Sequence, residues 1–154
     1  VDMEIRISLL QAVQAVLFFS LLIAVTAWDL RYRFIPDRFQ AGIALLSFLN
    51  FAPGQLLGAL GAVPYLIVAL FCKREGGMGG GDIKLAGATG LVLGLPASLT
   101  ASCLGLTGFV MYGCMVCLWN RFKGKRDKEA FPVGPFLAGG AAAVYCMRLG
   151  GWMI

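Results

Sequence analysis

Four stretches of this chain contain no Asp, Glu, Lys or Arg: residues 7–28, 39–72, 85–120 and 130–147, with lengths of 22, 34, 36 and 18. A helix crossing the hydrocarbon core of a bilayer needs about 20 apolar residues, with a range of about 17–25. The first and last stretches are therefore one crossing long. The middle two are too long for one crossing, and each is punctuated near its centre, by Pro53-Gly54 and by Gly94-Leu95-Pro96. Such residues break a helix and turn the chain, so each reads as a helical hairpin. The expected fold class is all-α: a polytopic membrane helix bundle of about six transmembrane helices, with residues 1–154 forming a single integral-membrane domain. Composition agrees, because 14% of the residues are charged and 59% hydrophobic, against about 25% charged in an average soluble domain. Disorder is excluded by the same figures. Residues 7–28 do not read as a cleaved signal peptide, since the flank Met3-Glu4-Ile5-Arg6 is mixed in charge and further apolar stretches follow.

The basic residues orient the bundle. The joints between the four stretches hold Arg31, Arg33 and Arg38, then Lys73, Arg74 and Lys84, then Arg121, Lys123, Lys125, Arg126 and Lys128. With six crossings, all of these fall on one face, and only Arg6 and Arg148 fall on the other. Short loops rich in Lys and Arg stay cytoplasmic, so both termini are expected outside. The net charge of +5 then reflects topology and contact with the anionic headgroups of the lipid bilayer. No basic domain or aromatic platform stands apart from the apolar stretches, so nucleic acid is not an expected partner.

The chain has no histidine. That excludes a Ser-His-Asp triad, a Cys-His dyad and an HExxH zinc peptidase. Cys114 and Cys117 have CxxC spacing, but no second pair follows, and zinc usually needs four such ligands. Cys72, Cys103, Cys114, Cys117 and Cys146 read instead as packing residues within helices. Neither metal nor cofactor is expected. Acid–base chemistry in such a chain falls to carboxylates, Lys, Cys or Tyr.

Most of the eight acidic residues lie among solvated charges: Asp2 and Glu4 in the tail, Glu75 beside Lys73-Arg74, Asp127 and Glu129 in the third basic joint. Asp29, Asp37 and Asp82 remain. Asp29 directly follows the first uncharged stretch, and Asp82 closes the run Gly76-Gly77-Met78-Gly79-Gly80-Gly81 before the third. Both reach the same membrane face at the same depth, where ionisable side chains are costly and mark functional sites. Each has a plainer reading as well. Asp29 can pair with Arg31 or Arg33, and Asp82 can simply cap a helix N-terminus.

Three segments carry a resemblance. Trp28-Asp29-Leu30-Arg31 with Ile35-Pro36-Asp37, then Met78-Gly79-Gly80-Gly81-Asp82-Ile83-Lys84-Leu85, then Phe131-Pro132-Val133-Gly134-Pro135-Phe136-Leu137, resemble the signature segments of the type IV prepilin peptidases, intramembrane aspartic peptidases of the GxGD type. The likeness runs from about Ile23 to Ala143. Gly79 and Gly81 match the motif glycines. GxGD alone is a weak signal, and its flanks together with the other two segments make it specific.

The resemblance implies that Asp29 and Asp82 are the catalytic pair, with Asp37 ranked below Asp29 because it lies deeper in the loop beside Arg38. It implies an endopeptidase that removes the leader of prepilins, pseudopilins or Flp-type pilin precursors at the cytoplasmic face of the cell membrane. Gly79, Gly80 and Gly81 are then expected to let an extended substrate approach. Lys84 is expected to tune the pair, to meet an acidic substrate residue or to mark the boundary. Pro132, Gly134 and Pro135 are expected to open the sixth helix with an irregular turn that shapes the site. Larger members of that family carry an N-terminal cysteine-rich part and methylate the product. This sequence holds no such segment, so the peptidase-only branch is the expectation. Two other readings remain open here: a small transporter or channel that uses intramembrane carboxylates, and a GxGD peptidase for another leader, preflagellin-like. Oligomeric state is not legible.

Overall fold

The computed structural model describes residues 2–71, 79–123 and 132–151, with the side chains of Asp2 and Ile7 excepted. Cys72, Lys73, Arg74, Glu75, Gly76, Gly77 and Met78, the basic joint at 124–130 and Phe131 lie outside the described residues. Among the described residues every regular element is helical: α1 (Asp2–Tyr32), α2 (Asp37–Leu46), α3 (Val63–Phe71), α4 (Gly80–Leu93), α5 (Leu95–Lys123) and α6 (Gly134–Leu149). A short 3-10 turn, Ser47–Asn50, prolongs α2, and a 3-10 segment, Pro53–Ala62, runs straight into α3.

The chain punctuation places the breaks. α1 contains neither Gly nor Pro over its 31 residues. It stops where Arg33 turns left-handed, at φ 52°, and returns its N–H to the Asp29 carbonyl at 2.8 Å, an αL cap. Pro36 then holds the chain extended before α2. Gly94 separates α4 from α5 at φ 82°, a conformation glycine takes without a Cβ penalty. Its N–H closes α4 on Gly90 and its carbonyl opens α5 at Ser98. The chain breaks at both points read from the sequence, Pro53 and Gly94, and the segments that flank Gly94, α4 and α5, pack on each other.

The rods alternate in direction. Leu21 touches Gly42 and Trp28 touches Phe39 across α1 and α2. Gly58 meets Gly90, Gly105 meets Leu137, and Phe18 meets Tyr145. α4 is the central rod, packed on α2, on Pro53–Ala62, on α5 and on α6. Its inward face is small or aliphatic: Leu85, Ala86, Ala88, Val92 and Leu93 are buried. Large apolar side chains such as Leu9, Val16, Ile23, Phe48, Met111 and Met115 point outward, as on a bundle whose perimeter faces lipid.

Six rods lie where about six crossings are expected, but their lengths differ. Met3–Tyr32, Pro53–Phe71 and Leu95–Lys123 are long and apolar enough to cross a membrane. α4 has 14 residues and α6 has 16, so they rise about 21 and 24 Å at 1.5 Å per residue, against a core of roughly 30 Å.

The tightest crossing joins α4 to Pro53–Ala62. A Cβ on Gly58 would run into the Gly90 carbonyl oxygen, and one on Gly90 into that of Gly58. Backbone meets backbone there, so neither side can yield cheaply. Gly90→Val is expected to destabilise the bundle by about 1–3 kcal/mol or more, read as a lower unfolding midpoint in detergent. A midpoint equal to that of the parent chain would contradict this contact.

Candidate active site

Asp29 lies in the last turn of α1, Asp82 in the first turn of α4, and Gly134 is the first residue of α6. The alternation of the rods brings these three ends to one end of the bundle. Asp29 and Asp82 are 6% and 8% exposed, and their carboxylates lie close enough to interact electrostatically. They are 53 positions apart in sequence, so the meeting is a product of the helical packing.

Asp29 is held by the start of α6. The Gly134 N–H donates to Asp29 Oδ2 at 3.1 Å in a buried hydrogen bond. The first N–H groups of a helix have no partner within it. In α6, Pro135 has none to give, and the amides of Phe136 and Leu137 both bond to the Val133 carbonyl. Gly134 therefore supplies the amide that meets the carboxylate. It must be glycine, because a Cβ there would sit 2.5 Å from Oδ2. The sixth helix was expected to open on an irregular turn at Pro132, Gly134 and Pro135. The structure has Pro132 and Val133 outside the helix, Gly134 as its first residue and Pro135 next.

Asp82 is the third residue of α4, and Gly79 is the N-cap. This differs from the plainer reading in which Asp82 itself caps the helix. A Cβ on Gly79 would stand 3.5 Å from Asp82 Oδ2, and one on Gly81 would stand 3.5 Å from the Ile35 side chain and 3.6 Å from Gln40 Nε2. Nothing lies within 4 Å of a Cβ built on Gly80. The two motif glycines thus face protein, while the middle position faces open space.

Asp37 and Lys84 form a separate pair. Lys84 Nζ lies 3.0 Å from Asp37 Oδ1, with both side chains exposed. The ion pair ties the start of α2 to the first turns of α4, and it gives Lys84 a partner within the chain. Asp37 is thereby set apart from the two buried carboxylates.

Two residues near the site were not singled out in the sequence. Gln40, buried on α2, donates from Nε2 to the Gly81 carbonyl at 3.0 Å, pinning the glycine segment against α2. A carboxamide at the edge of a 34-residue uncharged stretch, next to the Asp37-Arg38 joint, is the signal that points to it. Tyr65, 1% exposed, donates to the Ser102 carbonyl at 3.4 Å and lies within electrostatic reach of Asp82. No sequence pattern marks it. Cys103, Cys114, Cys117 and Cys146 are free thiols exposed on the helix surfaces. Among the described residues no group of three or more His, Cys, Asp or Glu is placed to hold a metal ion.

Two buried carboxylates at one end of the bundle, one of them accepting a backbone amide, are groups of the kind that acid–base chemistry uses. Residues 16–119 match the model of the type IV leader peptidase family. A prepilin leader peptidase/N-methyltransferase of Bacillus subtilis is 33% identical over 144 residues, covering 88% of this chain and 56% of that protein. Proteins of the same name match from Burkholderia pseudomallei, at 33% identity over 79% of this chain and 42% of theirs, and from Xanthomonas campestris, at 31% over 83% and 47%. The chain thus spans about half the length of the curated relatives it matches. No solved structure matches it significantly. With the family model matching well over half of its residues, the chain belongs to the type IV leader peptidase family.

Proposed function

We propose that this chain is an intramembrane aspartic endopeptidase that removes the cytoplasmic leader of type IV prepilins, pseudopilins or Flp-type pilin precursors at the inner face of the cell membrane. The observation that carries the reading is the buried pair Asp29 and Asp82, with Asp29 held by the Gly134 amide. In this mechanism the two carboxylates share a proton and titrate as a unit. The ionised member takes a proton from water as the water attacks the scissile carbonyl carbon. The protonated member donates to the carbonyl oxygen. Collapse of the tetrahedral intermediate breaks the C–N bond, the leaving amine takes a proton, and the pair returns to its starting state.

The parts around the pair have positioning roles in this scheme. Gly80, with open space at its Cβ position, offers backbone that an extended substrate segment can approach. The Lys84–Asp37 pair and the Gln40 bond to Gly81 fix that segment against α2. Gln40→Leu is expected to lower cleavage about tenfold and to lower the unfolding midpoint as well, since one buried hydrogen bond contributes about 1 kcal/mol to stability. Unchanged cleavage in that variant would remove Gln40 from the site.

The test of the reading is co-expression with a candidate prepilin, following the appearance of the shortened product. Cleavage by the parent chain supports it. Ion flux through proteoliposomes with no cleavage of any pilin-like precursor would favour the transporter reading, and cleavage confined to preflagellin-like leaders would change the substrate class.

A further inference from the structure

Six residues of the chain are Gln or Asn, at positions 11, 14, 40, 50, 55 and 120. Four of them, Gln11, Gln14, Asn50 and Gln55, line one cavity, which Tyr145, Arg148 and Leu149 complete. Carboxamides are sparse in a chain this apolar, and their convergence from α1, from the Ser47–Asn50 turn and from the start of Pro53–Ala62 is not explained by the carboxylate site. Asp29 and Gln11 are 18 positions apart on α1, about 27 Å at 1.5 Å per residue. The cavity therefore opens at the end of the bundle opposite the carboxylates, a separation close to the roughly 30 Å of a hydrocarbon core.

The walls are set before any ligand arrives. Gln14, 5% exposed, donates from Nε2 to the Leu46 carbonyl at 2.9 Å and accepts from Asn50 Nδ2 at 3.0 Å. Gln55, 7% exposed, accepts the Ala52 N–H through Oε1 at 3.3 Å, and its Nε2 has no partner among the described residues. Arg148 Nη1 donates to the carbonyls of Val92 and Leu93 at 3.2 and 3.1 Å, at the C-terminal end of α4. That anchors the guanidinium and leaves the Nε and Nη2 donors of its fork. Among the described residues no acidic side chain lines the cavity. Its volume of about 170 Å³ exceeds that of several waters at about 30 Å³ each.

We propose that this cavity binds the phosphodiester of an anionic phospholipid head group from the leaflet opposite the two carboxylates. One guanidinium, amide donors and no anion suit a singly charged phosphodiester, which Arg engages with paired N–H groups. The cavity lies at head-group depth, and the exposed Leu10 and Leu149 beside its lining residues offer apolar surface to the acyl chains. The inference is independent of the peptidase reading.

The test uses the full chain purified in a maltoside detergent, titrated separately with dioctanoyl phosphatidylglycerol, dioctanoyl phosphatidylcholine and inorganic phosphate, with the unfolding midpoint as readout. Phosphatidylglycerol is expected to raise the midpoint in a saturable way, with at least about tenfold tighter apparent binding than phosphatidylcholine. Inorganic phosphate at equal concentration is expected to do nothing. Gln11→Ala, at an exposed position, and Gln55→Ala are each expected to weaken the response about tenfold, as is Arg148→Lys. Should Arg148→Lys fail to fold, the two glutamine variants decide. Equal responses to both lipids, an equal response to phosphate alone, or parental binding by the glutamine variants would each overturn the assignment.

Discussion

Asp29→Asn and Asp82→Asn are each expected to lower leader cleavage by about 10²–10⁴-fold, the range over which a positioned acid or base contributes. Asn keeps the shape of the side chain and an oxygen that can accept the Gly134 amide, so unfolding midpoints are expected to stay near that of the parent chain. Asp37→Ala tests the neighbouring carboxylate. Its partner Lys84 is exposed, as is Asp37 itself, and such pairs contribute about 0–1 kcal/mol, so cleavage is expected to change less than about fivefold. A loss with Asp37→Ala as deep as with the other two would move the chemistry to the α2 terminus. Parental activity in both Asn variants would end the aspartic mechanism.

Gly134→Ala is expected to cost about 100-fold in cleavage, the effect of moving a reacting group by about an ångström. The new Cβ would sit 2.5 Å from Asp29 Oδ2, too close for the carboxylate to remain where the amide holds it. Alanine is the better helix former, so the loss is expected without a matching loss of helicity by circular dichroism. Gly139→Ala, on the same helix, is the control, because nothing lies within 4 Å of a Cβ built there and it has no part in the site. If Gly134→Ala cleaves normally, the hydrogen bond between α6 and Asp29 does not organise the site.

The division of the chain into rods was legible because its causes are local. Uncharged runs set where the rods lie, and Pro53 and Gly94 break them through backbone constraints that need no tertiary knowledge. The nomination of Asp29 and Asp82 rested on a similarly local fact, the edge of an apolar stretch. Residues whose role depends on register were less legible. Gly58 and Gly90 are spaced like any other glycines of the chain, yet they meet backbone to backbone, while Gly94 serves as the hinge of the turn. Lys84 reads three ways from sequence because its partner, Asp37, is 47 positions away. Tyr65 and the polar cavity depend on which helix faces reach the interior, and hydropathy does not encode that in a chain apolar on every side.

The bond between Gly134 and Asp29 spans 105 positions, and this has a consequence for the timing of biogenesis. A ribosome adds roughly 5–20 residues per second, so roughly 5–20 s separate the synthesis of the first carboxylate from that of the amide that orients it. During that interval α1 to α5 can enter the membrane and pair, but the arrangement around Asp29 lacks its last support. On the proposed aspartic mechanism, hydrolytic competence would be deferred until the final rod docks along α1, and a half-inserted nascent chain would carry both aspartates without the geometry to use them.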